Sequence, residues 1–325
     1  MKAPIFTVSL DFELHWGRFD KYSLENCRAY YHKTREVIPK ILELFEKHRI
    51  HATWATVGML FAENVEEWES YQPKLKPNYK KEKISAYNWL SEQNNADYSC
   101  LFAPDLIQRI LQTPYQEVGS HTFSHYYTCE AGQTSAQFRD DLKSAKKIAK
   151  DKFDLDLASL VFPRNQYNKQ ALDIVADEGF TVFRSNPNDW YWENTHSENL
   201  LKKMFRTGDA LIPIGSKSSY LLPNQGAKLL PLPASRLFRP FIGNNTLIRV
   251  RINRIKSEMT VAAKNGEVYH LWWHPHNFGL YPKENLYFLE EIFIHFSELK
   301  EQFGMRSLNM KGSCELVLGK TVFNS

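Results

Sequence analysis

Apolar positions fall in short runs whose spacing changes along the chain. Residues 5–10 (IFTVSL) form a mostly apolar run and predict a buried strand. Residues 34–49 carry Val37, Ile38, Ile41, Leu42, Leu44 and Phe45 at helical spacing with charges between them. A second strand is predicted over 51–59, closed by Gly58. The alternation continues with a helix over 104–113 and a short strand at 117–119, then a helix over 135–150 and a strand over 157–162. A helix over 169–178 and a strand over 181–184 follow. Residues 268–273 predict another strand and 284–303 an amphipathic helix, while 246–252 fits either a strand or the start of a helix running through 263. Strands alternating with helices of this size predict βαβ units and a parallel sheet, open or closed into a barrel. Two stretches break the rhythm. Residues 62–103 are polar, aromatic-rich and punctuated by proline, and residues 191–247 are rich in Pro, Asn, Gly and Ser. Both read as insertions into one domain spanning 1–325, and no internal repeat is visible.

Composition narrows the class. A chain of 325 residues with 43% hydrophobic and 24% charged residues has the balance of an ordinary globular protein. The net charge of +4 is small for this length, and no basic stripe is present, so a nucleic-acid partner is not expected. Cys27, Cys100, Cys129 and Cys314 lack C-x-x-C spacing, which predicts free thiols and a cytoplasmic address. The first apolar run, broken by Pro4 and ended by Asp11, is too short for a signal peptide, and no stretch approaches a membrane span.

Candidate chemistry sits where strands end. The first strand runs into S-L-D-F-E, and the period of two puts Asp11 and Glu13 on one face. The third ends in G-S-H-T-F-S-H, where His121 and His125 are spaced for one face of a helical turn, a zinc-type pair that a nearby carboxylate would complete. The strand after it ends in P-R-N-Q-Y, with Arg164 placed to clamp a carboxylate. The next is followed by F-R-S-N-P-N-D-W-Y-W, and the last by W-W-H-P-H, which presents His274 and His276. In α/β folds this edge of the sheet is where sites are built.

These segments, in this order, resemble the polysaccharide deacetylase family (NodB-homology, carbohydrate esterase family 4). The resemblance implies an α/β fold, a distorted (β/α)7-type barrel with inserted loops. It implies Asp11 as catalytic base, Glu13, His121 and His125 as ligands of a divalent metal, most expectedly zinc with cobalt, manganese or nickel as alternatives, and Arg164 as the clamp on Asp11. It further implies an oxyanion-binding backbone amide near Asn165–Tyr167, a pocket shaped by Asp189 and Trp190, and His274 as general acid with His276 as its competitor. Trp16, Trp190, Trp192 and Trp273 are candidate sugar-stacking faces, and His15 a pocket-wall residue. The implied activity is hydrolysis of the N-acetyl group of an acetamido sugar in a surface or cell-wall glycan or its precursor. A cyclic amide or ureide hydrolase on the same fold, or a glycan-binding protein without catalysis, are the alternatives.

Overall fold

The computed structural model describes residues 3–93, 96–187, 192, 200–208, 218–223 and 226–319. Asp189 and Trp190 lie outside the described residues. In chain order β1 (Ile5–Phe12), α1 (Leu24–Lys47) and β2 (Ala52–Thr56) are followed by two short helices, α2 (Val65–Ser70) and α3 (Ala86–Ser91). Then come α4 (Pro104–Gln112), β3 (Gln116–Ser120), α5 (Ser135–Phe153), β4 (Ser159–Leu160), α6 (Lys169–Asp177) and β5 (Val182–Ser185). After α7 (Leu200–Gly208) the chain forms β6 (Leu230–Pro233), β7 (Arg236–Leu237), α8 (Asn245–Asn265) and β8 (Val268–Trp273). It finishes with α9 (Pro282–Phe303), β9 (Arg306–Ser307) and α10 (Met310–Val317).

The named strands are parallel, in the order β6-β5-β4-β3-β2-β1-β8-β7, with β9 beside the start of β1. β6 and β7 are two halves of one bent strand. Leu230 and Ala234 donate their amides to Thr181 and Ser185 on the β5 side, whereas Ser235 and Phe238 donate to His270 and Trp272 on β8. The two ends of the sheet therefore meet, and a ring of seven strands closes. This strand falls inside 191–247, where the sequence predicts only a loop, because Pro231 and Pro233 interrupt its pattern. With Leu230 and Ala234 donating toward β5, the two prolines occupy alternate positions that are not asked to donate in that ladder.

Side chains alternate across the ring. On β1, Phe6, Val8, Leu10 and Phe12 join the helices in the main hydrophobic core. Ser9 and Asp11 point inward to polar partners. The described residues of 62–103 form no strand, yet Trp68, Leu90, Leu101 and Phe102 are buried in the same core. α10 closes the amino-terminal mouth. Its first amides donate to Thr53 Oγ1 (2.8 Å) and to the buried Glu117 carboxylate (3.0 Å), an acceptor well placed at a helix start. That leaves the carboxyl-terminal mouth for chemistry. Among the described residues no helix is long and apolar enough to cross a membrane.

Candidate active site

β1 ends in a short 3-10 turn, Leu14–Gly17, entered through a left-handed Leu14 (φ 42°), so Glu13 stays on the inward face beside Asp11. Glu13 Oε2 lies 3.1 Å from His125 Nε2 and 3.4 Å from His121 Nε2, and all three residues are buried. His121 and His125 are not on a helical turn. They belong to an irregular loop after β3 in which Thr122 (φ 64°) and His125 (φ 54°) take left-handed backbone. Two supports hold this costly conformation. Gly58 and Met59 donate their amides to Thr122 and Phe123 from below, and the Asp141 carboxylate on α5 accepts from Phe123 N, Ser124 N and Ser124 Oγ. An Asp141→Ala variant leaves three buried donors unmet. It is expected to lose about 3 kcal/mol in urea denaturation and about tenfold in metal affinity by titration.

The donor set fits a divalent cation of the zinc type. His121 Nδ1 lies 2.8 Å from the Val161 carbonyl, which can only accept, so Nδ1 donates there and Nε2 is the ring nitrogen that faces Glu13. His125 Nδ1 is engaged by the Tyr127 hydroxyl at 3.0 Å, and burial lowers its imidazole pKa, as a neutral ligand requires. Burial resists ionisation of Glu13, but His274, His121 and His125 outweigh it and hold the carboxyl well below its usual range. Gly17 makes room for this carboxylate, since a Cβ there would overlap it. Gly17→Ala is therefore expected to lower metal affinity by about tenfold or more, checked by chelator competition, with little change in the melting temperature.

Asp11 is not held by Arg164. Its two oxygens accept from Arg184 Nη1 (2.7 Å) and Nη2 (2.8 Å), a bidentate pair buried inside the ring. Arg184 also donates to Ser9 Oγ (3.1 Å) and Asn165 Oδ1 (2.9 Å), and lies over Trp272 at 4.2 Å. Burial opposes ionisation of Asp11, yet Arg184, His274 and His121 hold its carboxyl below the ordinary value. Arg164 sits in a turn with φ 57°, which aims it away to Asp20 (2.7 Å), Glu130 (3.5 Å) and the face of Tyr127. The signal that could have found Arg184 is a single arginine at an inward position of the apolar strand V-F-R-S.

His274, at the end of β8, brings Nε2 within 3.6 Å of Asp11 and 3.7 Å of Glu13. Its side chain is 26% exposed, into the cavity above the ring. His276 is buried against Tyr30 and Tyr31, and burial and His274 push its pKa down to about 3. Asn165 lines the cavity. The amides of Asn165 and Gln166 donate to Phe162 and Pro163 within their turn, so neither is free for an oxyanion. Tyr167 packs on Phe162 and Phe183 instead of lining the cavity. Trp16 and Trp273 are core residues, and His15 is buried between Tyr31 and Trp89 with its pKa lowered to about 4 by burial and Arg18. Trp272 is the tryptophan on the cavity wall among the described residues.

A closed α/β barrel whose carboxyl-terminal mouth holds two histidines and a carboxylate, beside an aspartate and a further histidine, groups residues that could hold a divalent cation with groups that can carry protons. The model of the polysaccharide deacetylase family matches residues 19–183, and the chain belongs to that family, whose activity is hydrolysis of carbon–nitrogen amide bonds. The match covers His121 and His125; Asp11, Glu13, Arg184 and His274 join them through the fold.

Three solved structures share the fold. A candidate polysaccharide deacetylase of Mycobacterium smegmatis is 14% identical, with 100% of this chain and 96% of that one covered at a TM-score of 0.62. One from Pseudomonas aeruginosa is 11% identical, with 99% and 93% covered at 0.59. The Puue allantoinase is 14% identical, with 99% and 93% covered at 0.58. No curated protein sequence matches the chain.

Proposed function

We propose that this protein removes the N-acetyl group from an acetamido sugar of a surface or cell-wall glycan or its precursor, using a divalent metal, zinc foremost. The observation that carries this reading is the placement of Asp11, its carboxyl held below the ordinary value by Arg184, and the cavity-facing His274 beside a Glu13–His121–His125 donor set. A cation held there supplies Lewis acidity toward the amide carbonyl and lowers the pKa of water. Asp11, kept ionised and oriented by Arg184, takes the proton of the attacking water. His274 delivers a proton to the departing amine; His276, buried and neutral, braces the wall behind it. Three of the four free cysteines are buried, in keeping with a cytoplasmic enzyme acting on a precursor.

Acetate release across free, phosphate-linked and polymeric acetamido sugars tests the reading. Release from at least one class is expected. Ring opening of allantoin without acetate release from any sugar would replace it with the cyclic ureide reading.

A further inference from the structure

The site opens into a cavity of about 630 Å³ whose wall is strongly cationic. Its two lining carboxylates, Asp11 and Glu13, are buried in the floor and engaged by Arg184 and the histidines. Around the mouth stand Arg18, Lys21, Arg164, Arg239 and Arg251. Arg164 is neutralised by Asp20 and Glu130. Arg18 is not: its guanidinium lies 4.2 Å over the Tyr22 ring and 5.3 Å from Tyr30, with no carboxylate in ion-pair range among the described residues. Arg251, on α8, is half-buried, has no ion pair among the described residues, and its Nε lacks any hydrogen-bond partner. Burial alone lowers its pKa. A partly desolvated guanidinium without a counterion is unfavourable, and an anion in the cavity removes that cost.

We propose that the substrate carries a phosphate or diphosphate on the sugar, received by Arg18, Lys21 and Arg251 while the acetamido group lies over Asp11 and His274. Cations on separate segments, the turn after β1 and the helix α8, surround a multiply charged oxyanion better than a single carboxylate, and guanidinium forks match phosphate oxygens. This rests on the deacetylase reading and names the substrate class of the same site. Beside the cations, Phe241, Ile242 and Leu280 form an apolar shelf, with Ile242 57% and Leu280 52% exposed. Either a nucleoside or a polyprenyl chain beyond the diphosphate can rest there.

The test is calorimetric titration of the zinc-loaded full chain with N-acetylglucosamine 1-phosphate and with N-acetylglucosamine, at low and high salt. The phosphorylated sugar is expected to bind at least about tenfold tighter, with an advantage that shrinks as salt rises. That advantage is expected to fall about tenfold in both Arg251→Ala and Arg18→Ala. Equal affinities overturn the proposal. So does an advantage that neither variant reduces, because the phosphate would then sit on the zinc site alone. Binding is read independently of turnover, which separates the two readings. Phosphate-dependent binding without acetate release would sink the deacetylase and leave the anion site standing; acetate release at equal kcat/KM from both sugars would do the reverse. Turnover of UDP-N-acetylglucosamine against polyprenyl-diphosphate-linked N-acetylglucosamine in detergent micelles then tells which carrier is preferred, and either preference supports the anion site.

Discussion

An Arg184→Met variant is expected to lose about 3–5 kcal/mol of stability in urea denaturation and all measurable turnover. The size follows from what the guanidinium leaves behind. The arginine side chain is fully buried and its partner Asp11 nearly so, and they share two short hydrogen bonds with Ser9 and Asn165 attached. Removing the cation strands a carboxylate that has no water to turn to, so the folded state bears its desolvation. Turnover falls for a related reason: without Arg184, burial raises the pKa of Asp11, and a protonated carboxyl cannot accept a proton. Pairing the change with Asp11→Leu is expected to restore much of the stability and none of the turnover, because an apolar pair of similar volume needs no counterion. Arg164→Met should cost far less, since that side chain is 26% exposed and holds Asp20 and Glu130 at the cavity rim.

Asp11→Asn is expected to lower turnover by about a thousandfold while the protein still binds one divalent cation, and Glu13→Gln to lose the cation outright. The distinction is geometric. Glu13 is the carboxylate that meets both imidazole Nε2 atoms, whereas Asp11 is turned toward Arg184 and His274. Metal content of the two purified variants reads this directly. If Asp11→Asn loses the metal and Glu13→Gln keeps it, the two carboxylates have exchanged roles.

The parts of this site that were legible in the sequence share one property: their chemistry lies within a single strand end. The alternation of Asp11 and Glu13 follows from the pleat of β1, and His274 follows from the apolar run of β8 stopping at Trp273. The seven-strand ring was legible in the same way, through the resemblance and the run of alternating elements. What was not legible depends on contacts across the ring. The one local mark of Arg184 is its inward position on an apolar strand, and that does not name its partner; only closure of the barrel brings β5 opposite β1. The loop bearing His121 and His125 reads as a helical turn by spacing, and it takes the remote Asp141 to hold its left-handed backbone instead. The closing strand 230–237 is obscured because its prolines, ordinarily evidence against a strand, fall where the ladder to β5 asks for no donor. The place of α10 is hidden for a similar reason: its acceptors, Thr53 and Glu117, come from two different strands.

On the proposed function, Glu13, His121 and His125 hold a metal on which amide hydrolysis depends. The most direct test strips the protein with a chelator, measures acetate release from a responsive acetamido sugar, and repeats the measurement after adding one equivalent of zinc. Stripping is expected to abolish release and zinc to restore it, and His121→Ala is expected to show neither tight zinc binding nor restoration. Full acetate release from stripped protein confirmed to be free of metal would contradict it.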